Sequence, residues 1–183
     1  LRKFAPEYNL STAVWSSKGD KVAVKGPGKS NSFIHIFTPD GQKLQTIETH
    51  DLSKSFDWIG DETLVYSDGG TTHQRDGLVL LYNLVSGEKK ELYKCPMDYE
   101  ASELKVSPDK TKLVFTLAPA FGRQVEHKTV LISLTTMESK ELYDIGSIAG
   151  WMPDSKQVIT RTNSLTNSQR LKLNTQGDRF SVI

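Results

Sequence analysis

The chain is short of most features that announce a chemistry. Its 183 residues hold one cysteine, Cys95, so no intrachain disulfide can form and the fold does not depend on an oxidising compartment. No apolar run approaches the roughly 18 residues of a membrane-spanning helix. The opening Leu1-Arg2-Lys3-Phe4-Ala5 has no initiator Met and no hydrophobic signal core, so the chain reads as processed or as a piece of a longer polypeptide. Neither sign of charge prevails: Lys plus Arg number 23 and Asp plus Glu 22, which leaves no field to gather nucleic acid or an anionic membrane. No stretch repeats apolar residues at i, i+3, i+4, i+7 over a helical length. The 37% hydrophobic and 25% charged residues are nevertheless those of an ordinary folded protein.

The motifs of catalysis and metal binding are missing as well. None of His35, His50, His73 and His127 is paired at ligand spacing, and there is no His-Glu-x-x-His. His35 reads as a half-exposed strand residue. There is no Gly-x-Ser-x-Gly elbow, and Cys95, before Pro96, reads as an incidental loop residue. Lys25-Gly26-Pro27-Gly28-Lys29-Ser30 is superficially a phosphate loop, but Ala23 stands where the pattern needs its first Gly. The next segment, Asn31 to Phe37, reads as a strand, so no helix N-terminus is available for an anion. Asp40, Asp109 and Asp154 sit in Pro-Asp turns, where a short acceptor caps the turn backbone. These readings predict a protein with no catalytic residue, no metal and no cofactor.

The chain does have one sentence said four times. Trp15-Ser16-Ser17-Lys18-Gly19-Asp20 leads into Val22-Ala23-Val24, and Trp58-Ile59-Gly60-Asp61 into Leu64-Val65-Tyr66. Val106-Ser107-Pro108-Asp109-Lys110 leads into Leu113-Val114-Phe115, and Trp151-Met152-Pro153-Asp154-Ser155 into Val158-Ile159. The step is roughly 43 to 48 residues, the period of a β-propeller built from short strands. Each unit parses into strands a to d. They are 12–16, 21–25, 33–37 and 43–48 in the first unit, and 55–58, 63–67, 78–84 and 89–94 in the second. The third gives 102–106, 112–117, 129–134 and 139–143, the fourth 147–151, 157–161, 170–173 and 179–183. The fold class is all-β, with four four-stranded antiparallel blades spanning approximately 11–48, 54–94, 101–143 and 146–183.

One blade buries too little area to stand alone, so the blades must stack. Trp15, Trp58 and Trp151, at equivalent positions, are expected to fill the wedges between neighbours. Residues 1–5 resemble a fifth outer strand, one more than four closed blades require. They read as the end of a preceding blade, so the four units form an arc of a larger propeller with six blades, or else seven or eight. An open arc exposes blade faces and edges, which predicts self-association if the chain exists alone.

The segments Trp15-Ser16-Ser17-Lys18-Gly19-Asp20, Val106-Ser107-Pro108-Asp109-Lys110 and Trp151-Met152-Pro153-Asp154-Ser155 resemble the W-S-P-D-G-K repeat of TolB-like propellers. The resemblance covers all four units and departs most at Trp58-Ile59-Gly60-Asp61, which lacks the Ser-Pro. Such repeats occur in periplasmic scaffold proteins, in bacterial lipoproteins and secreted proteins, and as the gating propeller of prolyl-oligopeptidase-type peptidases. The resemblance implies a non-catalytic binding or scaffold module in a bacterial envelope or secreted protein, extracytoplasmic rather than cytoplasmic. A gating propeller severed from its peptidase and the sensor domain of a membrane-anchored regulator are the alternatives. The partner is expected to be a protein or peptide. It would dock on the face that carries the b–c loops and d–a connections, since loops on a rigid scaffold carry function. Tyr8, His73, Arg75, Asp76, Tyr99, Phe121, Arg123 and His127 are the candidates there, because Arg and aromatic residues anchor interfaces. The alternative for each is an ordinary solvated loop residue.

Overall fold

The computed structural model describes residues 12–26, 32–49, 55–69, 77–97, 99–119, 127–143, 147–164, 167–174 and 180–182. These form sixteen strands in four antiparallel sheets. The first sheet is β1 (Ala13–Trp15), β2 (Val22–Gly26), β3 (Ser32–Phe37) and β4 (Lys43–Thr49). The second is β5 (Phe56–Trp58), β6 (Thr63–Asp68), β7 (Leu78–Asn83) and β8 (Lys89–Lys94). The third is β9 (Tyr99–Val106), β10 (Lys112–Pro119), β11 (Lys128–Ser133) and β12 (Ser139–Tyr143). The fourth is β13 (Ser147–Trp151), β14 (Gln157–Ser164), β15 (Asn167–Asn174) and β16 (Phe180–Val182). In each sheet neighbours in the chain are neighbours in space, so the sheets are simple meanders. The first strands β1, β5, β9 and β13 touch in chain order, which lays the sheets side by side as successive blades around an axis: a partial β-propeller.

The second strands of the two middle blades are apolar on both faces because a blade lies against each side of them. Leu64, Val65, Tyr66, Leu113, Val114 and Phe115 are all fully buried. Their side chains alternate between two cores: Leu64 and Tyr66 pack with Ala23, Ile34 and Ile36 of the first blade, whereas Val65 joins Leu104, Leu113 and Phe115 of the third. The fourth strands are the opposite case. Lys89, Lys90 and Glu91 of β8 are exposed, and charge on an edge strand deters pairing with foreign strands.

Four details differ from the sequence reading. Trp58 and Trp151 fasten their blades to the preceding ones, Nε1 donating to Val14 O at 2.9 Å and to Lys105 O at 2.8 Å, but Trp15, expected to fill a wedge as they do, is 49% exposed where Trp58 is fully buried, because it lies on the face turned away from the second blade. Residues 162–168 of the fourth blade, expected as a b–c loop, are largely strand: the ladder of β14 and β15 runs on to Ser164 and Asn167, because polar residues pair as readily as apolar ones once the hairpin is in register. Tyr99 opens strand β9 rather than lying in a loop, since its backbone pairs with Pro119. His35 is buried rather than half-exposed, flanked by Phe33 and Phe37 on the same strand. Residues 1–5 lie outside the described residues.

Between strands a and b the turns need a left-handed residue. Gly19 supplies it in the first blade with φ 71, whereas Lys110 and Ser155 adopt φ 62 and 58 in the third and fourth. The c–d turns repeat this contrast, with Gly87 at φ 72 in the second blade and Met137 at φ 62 in the third. Both turns close by the same backbone bond, Gly87 N–H to Asn83 O at 2.9 Å and Met137 N–H to Ser133 O at 2.8 Å.

This packing makes two substitutions informative. Trp58→Ala removes a fully buried indole and is expected to cost about 3–5 kcal/mol in chemical denaturation. Met137→Gly relieves a left-handed backbone at an exposed site and is expected to raise stability by roughly 0.5–1 kcal/mol, read from the shift of the denaturation midpoint.

Candidate binding face

A meander of four antiparallel strands puts its b–c loop and its connection to the next blade at one end, and its a–b and c–d turns at the other. The two ends are built differently. At the turn end, Lys18 donates its N–H to Asp61 at 2.7 Å and its ammonium lies 3.3 Å from the same carboxylate, joining the first two blades. Asp109 N–H donates to Ser155 Oγ at 3.0 Å, joining the last two.

The acidic residues of these turns are occupied by capping. Asp109 accepts from Ser107 Oγ at 2.6 Å and from the Thr111 N–H and hydroxyl at 3.1 and 2.8 Å. The Ser107 hydroxyl foremost, then Thr111 and the Lys112 ammonium, hold its carboxyl well below the usual range against a smaller desolvation effect. Asp20 is lowered in the same way, by Ser16 and Lys21. Asp40 accepts from Thr38 Oγ1 and Asp154 from the Lys156 N–H at 3.0 Å. A carboxylate held ionised and saturated with donors suits turn capping rather than proton transfer.

Along the axis, two carboxylates of the first strands face the next blade. Asp57 Oδ2 accepts the Val106 N–H at 2.8 Å, and Glu103 Oε2 accepts the Ile148 N–H at 2.7 Å and the Thr116 hydroxyl at 3.0 Å. Both are satisfied by protein donors. Among the described residues no group of three or more His, Cys, Asp or Glu is placed to hold a metal ion. Cys95 is buried in the core between the second and third blades. Its N–H donates to Gly77 O at 2.8 Å, and Gly77 stays bare there: a Cβ would sit 3.2 Å from Cys95 Sγ and 3.0 Å from Tyr99 O.

The loop end of these two blades is braced by side chains. Tyr93 of β8 donates its hydroxyl to Glu141 Oε1 at 3.2 Å, and its ring meets Phe115 edge-on at 5.2 Å. Lys128 donates to Glu141 Oε2 at 3.0 Å and sits 5.4 Å above the Tyr99 ring, a cation–π contact. Burial first, and the neighbouring Glu141 charge second, push the Tyr93 hydroxyl pKa up. Tyr99 N–H closes a turn onto Pro96 O at 3.1 Å. That turn carries Met97 at its apex, 84% exposed, and His127 stands exposed just before Lys128.

Of the residues singled out from sequence, Tyr99 and His127 therefore share this end, on either side of Lys128. Tyr8, His73, Arg75, Asp76, Phe121 and Arg123 lie outside the described residues, as do His50 and Asp51. Tyr93, Lys128 and Glu141 escaped sequence reading. Their signal is register: Lys128 is opposite Tyr143 and Glu141 opposite Val130, so the pair is a cross-strand diagonal of opposite charge.

No family model matches the chain, and no curated protein matches it in sequence. Solved structures do match its fold. The putative TolB from Agrobacterium tumefaciens superposes with a TM-score of 0.72 at 13% identity, over 96% of this chain and 62% of that one. An oligogalacturonate lyase in complex with manganese gives 0.72 at 10% identity, over 97% and 54%. The β-propeller domain of the Trilobed protease from Pyrococcus furiosus, described as having an open velcro topology, gives 0.64 at 12%, over 96% and 58%. The fold is that of TolB-like and related propellers, and the chain spans little more than half the length of these structures.

The lowered Asp109 pKa sets an acid limit. A carboxyl whose folded pKa lies below its ordinary 3.8 contributes stability above that value and loses it as pH falls through the folded one. Asp109→Asn is therefore expected to lose less stability than the parent protein between pH 5 and pH 2, measured as the urea midpoint at each pH.

Proposed function

We propose that the chain is a non-catalytic binding module, the fold serving as a rigid stage for a protein or peptide docked at the loop end of the blades. The observation that supports this reading is the braced end of the second and third blades. Glu141, Lys128, Tyr99 and Tyr93 lock the ends of four strands, while Met97 and His127 stand out from that lock into solvent. A flexible thioether suits an adaptable contact, and its scaffold has already lost the entropy that ordering at an interface would otherwise cost. Arg75 and Arg123, on the b–c segments of the same two blades, complete the expected face. The resemblance of the repeats to TolB-like propellers supports an extracytoplasmic setting in a bacterial envelope or secreted protein.

A second reading, a gating propeller belonging to a serine peptidase, draws support from the likeness to the propeller of the Trilobed protease. A Gly-x-Ser-x-Gly segment downstream in the natural reading frame would decide for it.

Site-specific photo-crosslinkers test the binding face. Probes at Met97 and His127 are expected to capture one defined partner in the native cell, whereas probes at Val85 and Met137, on the turn end, are not. Charge reversal of Arg75 and Arg123 together should then weaken that partner's binding and leave the melting temperature unchanged. Crosslinks only from Val85 and Met137, or an affinity indifferent to the reversal, would remove this face from the function.

A further inference from the structure

The three seams between successive blades are not chemically alike. They can be compared at one register position, the second-strand residue two past the one that pairs with Trp58, Val106 or Trp151. It is Tyr66 in the second blade, Phe115 in the third and Thr160 in the fourth. All three are fully buried. Phe115 lies in an apolar seam with Val65, Val79 and Leu117. Tyr66 and Thr160 instead bring a hydroxyl to that place, and among the described residues these two hydroxyls are buried with no hydrogen-bond partner. A buried hydroxyl left unpaired is costly, and folded proteins satisfy nearly all of them, with ordered water where no protein group serves. Tyr82, on the same face as Tyr66, shows the contrast: its hydroxyl accepts from Gln45 Nε2 across the first seam.

Acceptors stand near both hydroxyls. Tyr66 packs with Ile34, Ile47 and Leu64, but one step toward the loop end the first seam turns polar. Asp68 follows two residues after Tyr66, on the same face. Ser32 and Thr49, paired with each other two residues from Ile34 and Ile47, face it from the first blade. All three are buried. Thr49 gives its hydroxyl proton to Ser32 O at 3.0 Å, which leaves its oxygen able to accept. Burial first, then the charge of Asp68 and the neighbouring Tyr82, push the Tyr66 pKa up, so its hydroxyl is a donor at neutral pH. In the last seam Thr160 is opposite Ile148, whose N–H donates to Glu103 Oε2 at 2.7 Å. Thr116 gives its hydroxyl to the same oxygen at 3.0 Å. An ionised carboxylate offers about four acceptor sites, so Glu103 has room for a further donor.

We propose that the first and last seams each enclose one bound water, held by the Tyr66 hydroxyl in the first and the Thr160 hydroxyl in the last and donating onward to Asp68 and Glu103 respectively, while the middle seam is dry. The ligand is small because buried apolar side chains flank both places: Ile34, Ile47 and Leu64 in one, Ile148 and Val158 in the other. It must accept from a hydroxyl and donate to a carboxylate from a single point, and water does both. This inference concerns the seams and is independent of the binding face.

Oxygen-17 relaxation dispersion of water, recorded on the full natural polypeptide, counts long-lived internal waters. Tyr66→Phe and Thr160→Val are each expected to remove one water from that count, the double variant two, and each single variant to melt below the parent. An unchanged count in either single variant overturns the proposal. So does a single variant that melts above the parent, the result of deleting a hydroxyl that had no partner at all. A crystal structure of the unmutated polypeptide gives a reading that needs no variant. Ordered water is expected about 3.0 Å from Tyr66 Oη and from Thr160 Oγ1, and a protein partner or a dry contact in either place overturns the proposal.

Discussion

The indole-to-carbonyl bond between successive blades is the constraint on which the array depends. Burying the Trp58 ring supplies most of the energy, about 3–5 kcal/mol by the cost of truncation. The hydrogen bond itself adds only about 0.5–1.5 kcal/mol net. Its larger effect is directional, because a buried N–H left without an acceptor would cost about 1–3 kcal/mol, so the ring can be buried cheaply in one orientation only. That orientation fixes the distance and rotation of one blade relative to the next. Where the indole is lost, at Val106, the link keeps its polarity but uses other groups: Asp57 reaches from the preceding blade and takes the Val106 N–H, while Lys110 donates to Trp58 O at 3.2 Å.

The turn end and the loop end divide the remaining work. Short turns, capped by Asp and Ser, hold the strands in register and join blades through Lys18 with Asp61 and through Asp109 with Ser155. The loop end is held by a smaller set of longer side chains, of which Glu141 is the centre, accepting from Tyr93 and Lys128 at once. A surface braced in this way can carry exposed groups such as Met97 without reshaping itself when they are engaged, which is what a binding face asks of its scaffold.

Much of the fold was legible in the sequence because a propeller repeats its hydrophobic pattern, and the eye needs only the period. The strands read from alternation and turn residues fall within a few residues of those observed. The misreadings depend on context rather than on residue type. Trp15 is identical to Trp58 as a letter and differs only in having no described blade on its side. His35 lies deep because Phe33 and Phe37 flank it, a relation that alternation shows but does not rank. The left-handed backbones at Lys110, Met137 and Ser155 had no glycine to betray them. At the candidate binding face the exposed His127 could be named from loop position, whereas the diagonal of Lys128 and Glu141 required the register.

The acceptors of the two indole bonds belong to the main chain, and this has an evolutionary cost and freedom of its own. Val14 and Lys105 do the same job with nothing chemically in common, because only their backbone is asked to take part. The bond itself does not restrict which side chain stands at those two sites, so the indole bonds alone impose no correlated change on neighbouring units. At the middle seam the acceptor is a side chain, and there the identity of Asp57 itself is held by the bond.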